Sequence, residues 1–275
     1  ASYSKNILTS FTERITIFSP FEDNSISDDD FDIQPSWSLD NQKQDLSCLV
    51  ERIKEEKITS IIIQFNYGLY DFKQLSNMIE DLKKLKINIL IMMHSTKDPK
   101  GIKNKMLSSI SNSLKLCSRI IVHTIADLNR LKNLNLVDNV CLMPQGIIDI
   151  NPEYNYLKTK NKSSSKNFSV ASYGFCLPNK GFKELIQAIF ILNNRGHKIR
   201  LNIYSALYSE EYIFYYNEIY NLVTELNLEG LVFIHNEYMQ DHETIDHLSS
   251  HDCLVFPYQF TNESSSAAVR HGLAS

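Results

Sequence analysis

The chain has 275 residues, of which 43% are hydrophobic, so it holds enough apolar material for one large domain or two domains of ordinary size. A formal net charge of −4 provides no positive field to neutralise a phosphate backbone, which argues against nucleic acid as a main partner. The five cysteines form no C-x-x-C motif, and the longest nearly uninterrupted apolar run, residues 87–93, is too short to span a bilayer. We therefore expect a cytoplasmic protein with buried, reduced thiols.

Along the first half, short runs rich in Ile and Val alternate with longer segments of helical period, which is the pattern of β-α units around a parallel sheet. The first eight residues read as a helix. Apolar residues recur at i, i+3, i+4 and i+7 over residues 47–56 and 72–85, which predicts two helices that each bury one face. The predicted strands cover residues 14–18, 60–65, 88–94, 119–123 and 140–144.

The second half repeats the alternation after a break. Residues 149–167 contain Pro, Asn, Lys and three consecutive serines without apolar periodicity, which indicates a linker. Beyond it, strands are predicted over 168–173, 199–204, 231–235 and 253–256, and helices over 181–194, 210–226 and 242–249. We therefore predict an α/β fold of two Rossmann-like domains, residues 1–149 and 168–275, joined by the linker 150–167 and facing a central cleft that holds the ligand.

The first segment that can carry chemistry is Tyr-Gly-Phe-Cys-Leu-Pro-Asn-Lys-Gly at residues 173–181. It leaves a predicted strand, turns at Gly174 and Pro178, and enters a helix at about Gly181. Lys180 would thus lie beside a helix N-terminus, where its charge and the unpaired backbone N–H groups together favour a diphosphate. The alternative is that Gly174 only serves a turn and Lys180 is solvated.

The second such segment, residues 256–275, combines a strand end, a polar loop and a helix start made of small residues. Thr261 or Asn262 is expected to cap that helix, and the serines at 264–266 offer hydroxyl and N–H groups to an anion. Glu263 is the only carboxylate there, which makes it a candidate partner for sugar hydroxyls. The alternative reading of Glu263 is a contact with the helix dipole.

Together these segments resemble glycosyltransferase family 4, the glycosyl transferases of group 1. Residues 174–188 are similar to that family's G-x-x-x-x-x-K-G-x-x-x-L-I-x-A motif. Residues 61–69 resemble its Q-x-x-[YF]-G strand end, and residues 121–124 and 143–147 resemble its V-H-[ST] and P-H-G segments. The resemblance covers nearly the whole chain and implies a retaining GT-B enzyme, independent of metal and of other cofactors, that moves a hexose from a nucleoside diphosphate sugar.

The resemblance also implies partners and residue roles. The acceptor would be a glycan or lipid-linked glycan in polysaccharide biosynthesis, which allows peripheral contact with the inner face of the membrane. The implied catalytic residues are Lys180 for the diphosphate, Glu263 for the transferred sugar and His94 for a sugar hydroxyl. The further implied residues are Gly174, Ser264, Ser265 and His271 on the donor side, and Tyr67 and Gly68 on the acceptor side. The chain would lack a first strand and loop in front, and the end of the second domain behind.

Four positions depart from the family pattern. Phe175 replaces an Arg beside the phosphate-binding Lys, and His271 replaces the second glutamate of a pair that holds the ribose. Gln145 and Asn66 replace a histidine and an acidic residue. These changes keep open a non-catalytic nucleotide-binding or glycan-binding module, or an inactive fragment.

Other functional classes lack their motifs. His247 and His251 are spaced i, i+4 but have no third zinc ligand nearby in sequence. The sequence contains no G-x-S-x-G of serine hydrolases and no G-x-G-x-x-G after a strand, which disfavours a hydrolase and an NAD-dependent enzyme.

Overall fold

The computed structural model describes residues 14–21, 32–40, 44–147, 168–261 and 264–275. They form two compact units: unit 1 comprises the chain up to residue 145 together with 262–265, and unit 2 comprises 146–261 together with 266–275. The predicted N-terminal helix, the linker 150–167, Asn262 and Glu263 lie outside the described residues.

A four-stranded parallel sheet forms the centre of unit 1. Its strands, in spatial order, are β3 (Ser60–Phe65), β4 (Asn88–Met93), β5 (Arg119–Val122) and β6 (Val140–Leu142). The helices of unit 1 are α1 (Ser47–Glu55), α2 (Phe72–Lys84), α3 (Ser111–Leu114) and α4 (Ile125–Lys132), with 3-10 turns at Lys103–Lys105 and Leu107–Ile110. Helix α2 begins after Asp71, whose side chain accepts a hydrogen bond from the N–H of Gln74. The predicted inward faces are confirmed, because α1 buries Leu49, Val50 and Ile53 and α2 buries Leu75, Met78, Ile79 and Leu82.

Unit 1 also holds a parallel pair of strands, β1 (Thr16–Pro20) and β2 (Asp32–Trp37). Strand β1 lies two residues beyond the predicted 14–18, and β2 was not predicted. The sequence of β2 contains Pro35 and three polar residues, so it lacks a continuous apolar run. A pairing of this kind is determined by the partner strand rather than by local propensity.

Unit 2 is built around a second four-stranded parallel sheet. Its strands, in spatial order, are β10 (Cys253–Leu254), β7 (Phe168–Tyr173), β8 (Ile199–Tyr204) and β9 (Val232–His235). Its helices are α5 (Phe182–Asn194), α6 (Ile213–Glu225), α7 (Asp241–Ser249) and α8 (Ala267–Ala274), with 3-10 turns at Pro178–Lys180 and Glu210–Tyr212. The α/β class with parallel sheets is therefore confirmed. The predicted helix 210–226 begins as a 3-10 turn, and the strand predicted over 253–256 is only two residues long.

The cysteine prediction is correct in part. Cys117 and Cys176 are buried, whereas Cys48 and Cys253 are exposed. Cys48 precedes the inward-facing Leu49 in α1, and Cys253 lies on an edge strand of the described sheet, so neither side chain enters a core. Within the described ranges, no helix is both long and apolar enough to cross a membrane.

Candidate functional site

Two glycines shape the connection between β7 and α5 in unit 2. Gly174 follows the strand with φ of +140°, and Gly181 precedes the helix with φ of +77°. A Cβ atom at position 181 would lie 1.9 Å from the carbonyl oxygen of Pro257. Since the left-handed backbone and the close approach both exclude a side chain, the sequence requires glycine at 181.

Lys180, at the end of the 3-10 turn, is buried with only 6% of its surface exposed. Its Nζ atom lies 4.3 Å from the ring centroid of Tyr258, a geometry in which the ring face attracts the ammonium group. The Tyr258 hydroxyl is in turn 2.9 Å from Oγ of Ser266. The alternative of a solvated Lys180 is therefore wrong.

Ser266 is the N-cap of α8, because its Oγ atom accepts from the N–H of Val269. Of the two expected caps, Thr261 is not the N-cap, because it lies five residues before that position, and Asn262 lies outside the described residues. The extended backbone of Ser266 puts its hydroxyl over the first helical turn, as an N-cap requires.

The loop at residues 173–181 and the segment that begins at residue 256, both expected to carry chemistry, thus contact each other in unit 2. A Cβ atom at Gly174 would lie 3.6 Å from Cβ of Ala268, in the first turn of α8, and 3.8 Å from the Tyr258 hydroxyl. Lys180 packs on the other part of the same tyrosine. An ammonium group close to a helix N-terminus is an arrangement that binds anions such as a diphosphate.

His271 lies in α8 and has both ring nitrogens engaged. Nδ1 is 2.9 Å from the carbonyl oxygen of Ala267, and Nε2 is 2.9 Å from Oδ1 of Asp241. Burial lowers the pKa of His271, but the hydrogen bonds to Asp241 and Ala267 raise it, and the net shift is upward. In this arrangement both nitrogens donate, so His271 does not accept a hydrogen bond from a ribose.

Phe175, which stands where glycosyltransferase family 4 has an arginine, is exposed next to Gly174. Its ring packs edge-on against Tyr208, with the centroids 5.3 Å apart. This position supplies apolar surface and no charge.

His94 of unit 1 follows β4 and is half-buried. Its Nε2 atom is 2.7 Å from Oε1 of Gln64, which places the ring proton on Nε2. Burial, followed by the nearby ring of His123, lowers the pKa of His94 to about 4. His94 is therefore a neutral hydrogen-bonding group at pH 7.

His123 received no role from the sequence, yet it lies beside His94 with the ring centroids 5.4 Å apart. It is buried, and its Nδ1 atom is 2.9 Å from the carbonyl oxygen of Met143, which fixes the proton on Nδ1. Its Nε2 atom has no hydrogen-bond partner among the residues that the structure describes. An unsatisfied buried acceptor is costly, so this nitrogen is a candidate contact for a ligand hydroxyl.

The two residues expected on the acceptor side are held by their own surroundings. The Tyr67 hydroxyl donates to Oδ1 of Asp98 at 2.8 Å, and burial together with Asp98 raises the tyrosine pKa. The N–H of Gly68 donates to Oδ1 of Asn66 at 3.2 Å. Tyr67 is thereby ordered, with its hydroxyl directed at a carboxylate.

The Asp127 cluster, which the sequence did not indicate, is a set of hydrogen bonds in unit 1 centred on the fully buried carboxylate of Asp127. Its Oδ2 atom accepts from the N–H and hydroxyl of Thr124 at 3.1 and 2.5 Å, as part of a capping box at the start of α4. Its Oδ1 atom accepts from Thr96 at 2.5 Å, Arg130 at 3.1 Å and Ser264 at 2.9 Å. The spacing Thr-x-x-Asp was a visible signal for the capping box, although not for the other bonds.

Ser264 belongs to the segment 262–265 of unit 1 and is held at two points. Its hydroxyl donates to Asp127, and its N–H donates to the carbonyl oxygen of His94 at 2.9 Å. Both donors expected for a diphosphate are thus already used. Ser265 follows it, half-buried, and Glu263 lies outside the described residues.

The described residues contain no group of three or more His, Cys, Asp or Glu side chains arranged to hold a metal ion. His247 and His251 instead pack around Tyr204 in unit 2, with ring centroids 5.3 and 5.8 Å from the tyrosine ring.

A scan against models of protein families and a search of curated proteins give no match to the sequence. A search of solved structures, in contrast, finds several that are similar to this chain. A glycosyltransferase from Rickettsia africae ESF-5 matches with a TM-score of 0.71 and 13% identity, over 99% of this chain and 72% of its own. HepE of Anabaena, in complex with UDP and glucose, matches with a TM-score of 0.64 and 13% identity, over 88% of this chain and 65% of its own.

A mutant of TarM from S. aureus, in complex with fondaparinux, alpha-GlcNAc-glycerol and UDP, matches with a TM-score of 0.59 and 15% identity, over 84% of this chain and 43% of its own. The chain thus spans less than half of TarM, and 57% of the trehalose-6-phosphate synthase OtsA. Likeness at this identity establishes the fold: the chain has the α/β fold with parallel sheets of the GT-B glycosyltransferases.

Proposed function

We propose that this chain belongs to a retaining glycosyltransferase that moves a hexose from a nucleoside diphosphate sugar to a sugar hydroxyl of a growing glycan. The observation that carries the proposal is Lys180, a buried ammonium held against Tyr258, beside the Ser266-capped start of α8. The GT-B fold and the UDP bound in the similar structures of HepE and TarM support it further, as does the resemblance of the sequence to family 4, whose motif includes Lys180.

In the proposed reaction the bond from the anomeric carbon to the diphosphate oxygen breaks and its electron pair leaves with the diphosphate. The acceptor oxygen bonds to the same face of that carbon, and the departing diphosphate takes up the acceptor proton. Charge grows on the diphosphate as the bond breaks, so Lys180 and the N–H groups of the first turn of α8 bind the transition state more tightly than the ground state. Lys180 and these N–H groups would thus stabilise the leaving diphosphate, as a bound metal ion does in other transferases.

His94 and Glu263 are proposed to hold the transferred sugar. Because the pKa of His94 is lowered to about 4, it would act as a neutral hydrogen-bonding group. Gly174 would let the diphosphate approach the backbone, and Tyr67 and Gly68 would line the acceptor side. The proposed acceptor is a glycan or a lipid-linked glycan of a polysaccharide pathway, and a lipid-linked acceptor would bring the protein to a membrane surface.

The test is the thermal midpoint of unfolding with UDP, GDP, ADP and their sugars, for the unchanged chain, Lys180→Ala and Lys183→Ala. Lys183 is the matched control, because it lies three residues further on, is exposed and pairs with Glu218. We expect one nucleotide to raise the midpoint in the unchanged chain and in Lys183→Ala, but not in Lys180→Ala, since a ligand that binds only the folded state must stabilise it. An equal rise in all three would refute the role of Lys180.

A second candidate is a nucleotide-binding or glycan-binding module without turnover. The observation that favours it is His271, whose nitrogens are both engaged within unit 2 and do not accept from a ribose. The two candidates separate on donor hydrolysis. An enzyme releases nucleoside diphosphate slowly even without acceptor, whereas a binding module shows the thermal shift with no release.

A further inference from the structure

His123 follows β5 at the carboxyl edge of the unit 1 sheet and is held there by the neighbouring β6. The N–H of Met143 donates to the carbonyl oxygen of Val122 at 2.8 Å, and Nδ1 of His123 donates to the carbonyl oxygen of Met143 at 2.9 Å. Because a carbonyl oxygen cannot donate, the proton lies on Nδ1, and in the neutral ring Nε2 is an acceptor. The fold therefore fixes both the orientation of the ring and its tautomer.

The Nε2 atom of His123 is an acceptor without a donor. The side chain is only 6% exposed, and among the residues that the structure describes Nε2 has no hydrogen-bond partner. An unpaired buried acceptor costs stability, and nearly all buried polar groups in folded proteins have a partner for that reason. The bond to Met143 uses Nδ1 alone, so it does not explain why a second nitrogen is buried. A partner from outside the chain does explain it.

A second unpaired acceptor lies at the end of the neighbouring strand. The side-chain oxygen Oε1 of Gln145 is buried and likewise has no partner within the described ranges. Gln145 is two residues beyond Met143, a backbone span of at most about 7 Å, so it belongs to the same edge of the sheet as His123. The ring of His94, which is proposed to hold the transferred sugar, is centred 5.4 Å from the His123 ring. The two acceptors thus lie beside a residue of the proposed sugar site.

The chemistry of these two atoms selects the ligand. Both accept and neither donates, so they bind O–H groups rather than the oxygens of an ionised phosphate or carboxylate, which are acceptors too. A sugar ring carries several hydroxyl groups and no charge. Because solvent does not reach Nε2 of His123, a hydroxyl must displace the groups that cover it, and the bond then forms away from water, where it is stronger.

We infer that His123 binds a hydroxyl group of the transferred sugar through Nε2, and that Gln145 accepts from a second hydroxyl group. The inference rests on the proposed function for the identity of the ligand. It makes His123 a residue that determines specificity, because a sugar without that hydroxyl group leaves the buried nitrogen unpaired. Loss of His123 should therefore weaken binding of the nucleoside diphosphate sugar and leave the affinity for the nucleoside diphosphate unchanged.

The test compares donors that differ by one hydroxyl group. Nucleoside diphosphate sugars, with each sugar hydroxyl replaced in turn by hydrogen, are titrated against the unchanged chain and His123→Asn, which keeps an N–H near the Nδ1 position and has no group at Nε2. In the unchanged chain we expect one deoxy donor to bind about 10-fold more weakly than the full donor, because Nε2 stays unpaired. In His123→Asn these two donors should bind equally, with Kd for the nucleoside diphosphate within about 3-fold of the unchanged value.

Three further variants complete the comparison. Gln145→Leu, which removes the amide oxygen, should abolish the effect of a different hydroxyl group. His123→Phe keeps a ring and covers the case in which the asparagine variant does not fold. His251→Asn is the matched control, because both ring nitrogens of His251 have partners in unit 2, and it should leave every affinity ratio unchanged. An equal cost of removing each hydroxyl group in His123→Asn and in the unchanged chain would overturn the inference.

This outcome is separable from that of the proposed function. If nucleotides raise the unfolding midpoint through Lys180 but the affinity ratios do not depend on His123, the proposed function stands and the present inference fails. If no nucleotide binds, the proposed function fails, and the NMR signal of the His123 ring is then followed with glucose, galactose and mannose. A response to one of these sugars that the His251 ring does not show supports the contact, and no response overturns it.

Discussion

Lys180 and Tyr258 form a cation–π pair in unit 2, with the ammonium nitrogen 4.3 Å from the ring centroid. The pair joins the loop after β7 to the approach to α8, because Tyr258 also contacts Ser266 through its hydroxyl. One aromatic side chain therefore orders both the cation and the helix cap of the proposed diphosphate site.

The two contacts of Tyr258 are separable by substitution. Tyr258→Phe keeps the ring under Lys180 and removes the bond to Ser266, so we expect a loss of about 0.5–1.5 kcal/mol in the free energy of unfolding and little change in nucleotide affinity. Tyr258→Leu removes the ring as well and should also weaken nucleotide binding, because Lys180 loses its support. Urea unfolding and nucleotide titration of both variants provide the check. Equal nucleotide affinity in the two would show that the ring does not position the cation.

Gly181 should be intolerant of any side chain. In Gly181→Ala the new Cβ atom would lie 1.9 Å from the Pro257 carbonyl oxygen, on a backbone with φ of +77°. Gly196→Ala is the matched control, since Gly196 has φ of +87° but no atom within 4 Å of an added Cβ. Backbone strain alone costs about 1–3 kcal/mol, so we expect about that loss at Gly196 and a distinctly larger one at Gly181. Similar unfolding midpoints in urea would contradict this close packing.

The sequence predicts best those elements whose local pattern is unambiguous. Strands β3, β7 and β8 have the predicted bounds, because β3 holds a run of three isoleucines and apolar residues recur along β7 and β8. The glycine-flanked loop around Lys180 was likewise visible, since its spacing is local. Strand β2 was not predicted, because Pro35 and its polar neighbours interrupt the apolar residues of this segment.

Contacts between distant positions explain the rest of the difference. The bond from Ser264 to Asp127 spans 137 positions, and the bond from His271 to Asp241 spans 30. No spacing rule links such pairs. From the sequence alone, the donors of Ser264 and the ring nitrogens of His271 were therefore expected to be available to a ligand. The burial of Lys180 was likewise not predictable, because Lys180 contacts Tyr258, which lies 78 positions further along the chain.

Acidification should destabilise unit 1 through His94. Its pKa is lowered to about 4 in the folded chain, so the unfolded chain binds the proton more tightly. The stability contributed by neutral His94 is therefore present above pH 6.5 and is lost as the pH falls toward 4, by about 2 kcal/mol between pH 7 and 5. His94→Gln removes the titrating group, and its unfolding free energy should fall less over that range. Parallel pH profiles for the two proteins would show that His94 titrates normally.

The pH dependence of the His271–Asp241 pair has the opposite sign. The net upward shift in the pKa of His271 means that the folded chain holds the proton more tightly than the unfolded chain. The stability from this pair is complete below about pH 6.5 and is lost as the pH rises through the folded pKa. Asp241→Asn removes the charge that faces His271 at 2.9 Å, so the excess stability of the unchanged protein over the variant should shrink from pH 6 to pH 9. Urea unfolding at both pH values measures that excess. A difference that stays constant or grows with pH would show that His271 is neutral in the folded chain, and its nitrogens would again be candidates to accept a hydrogen bond from a ribose.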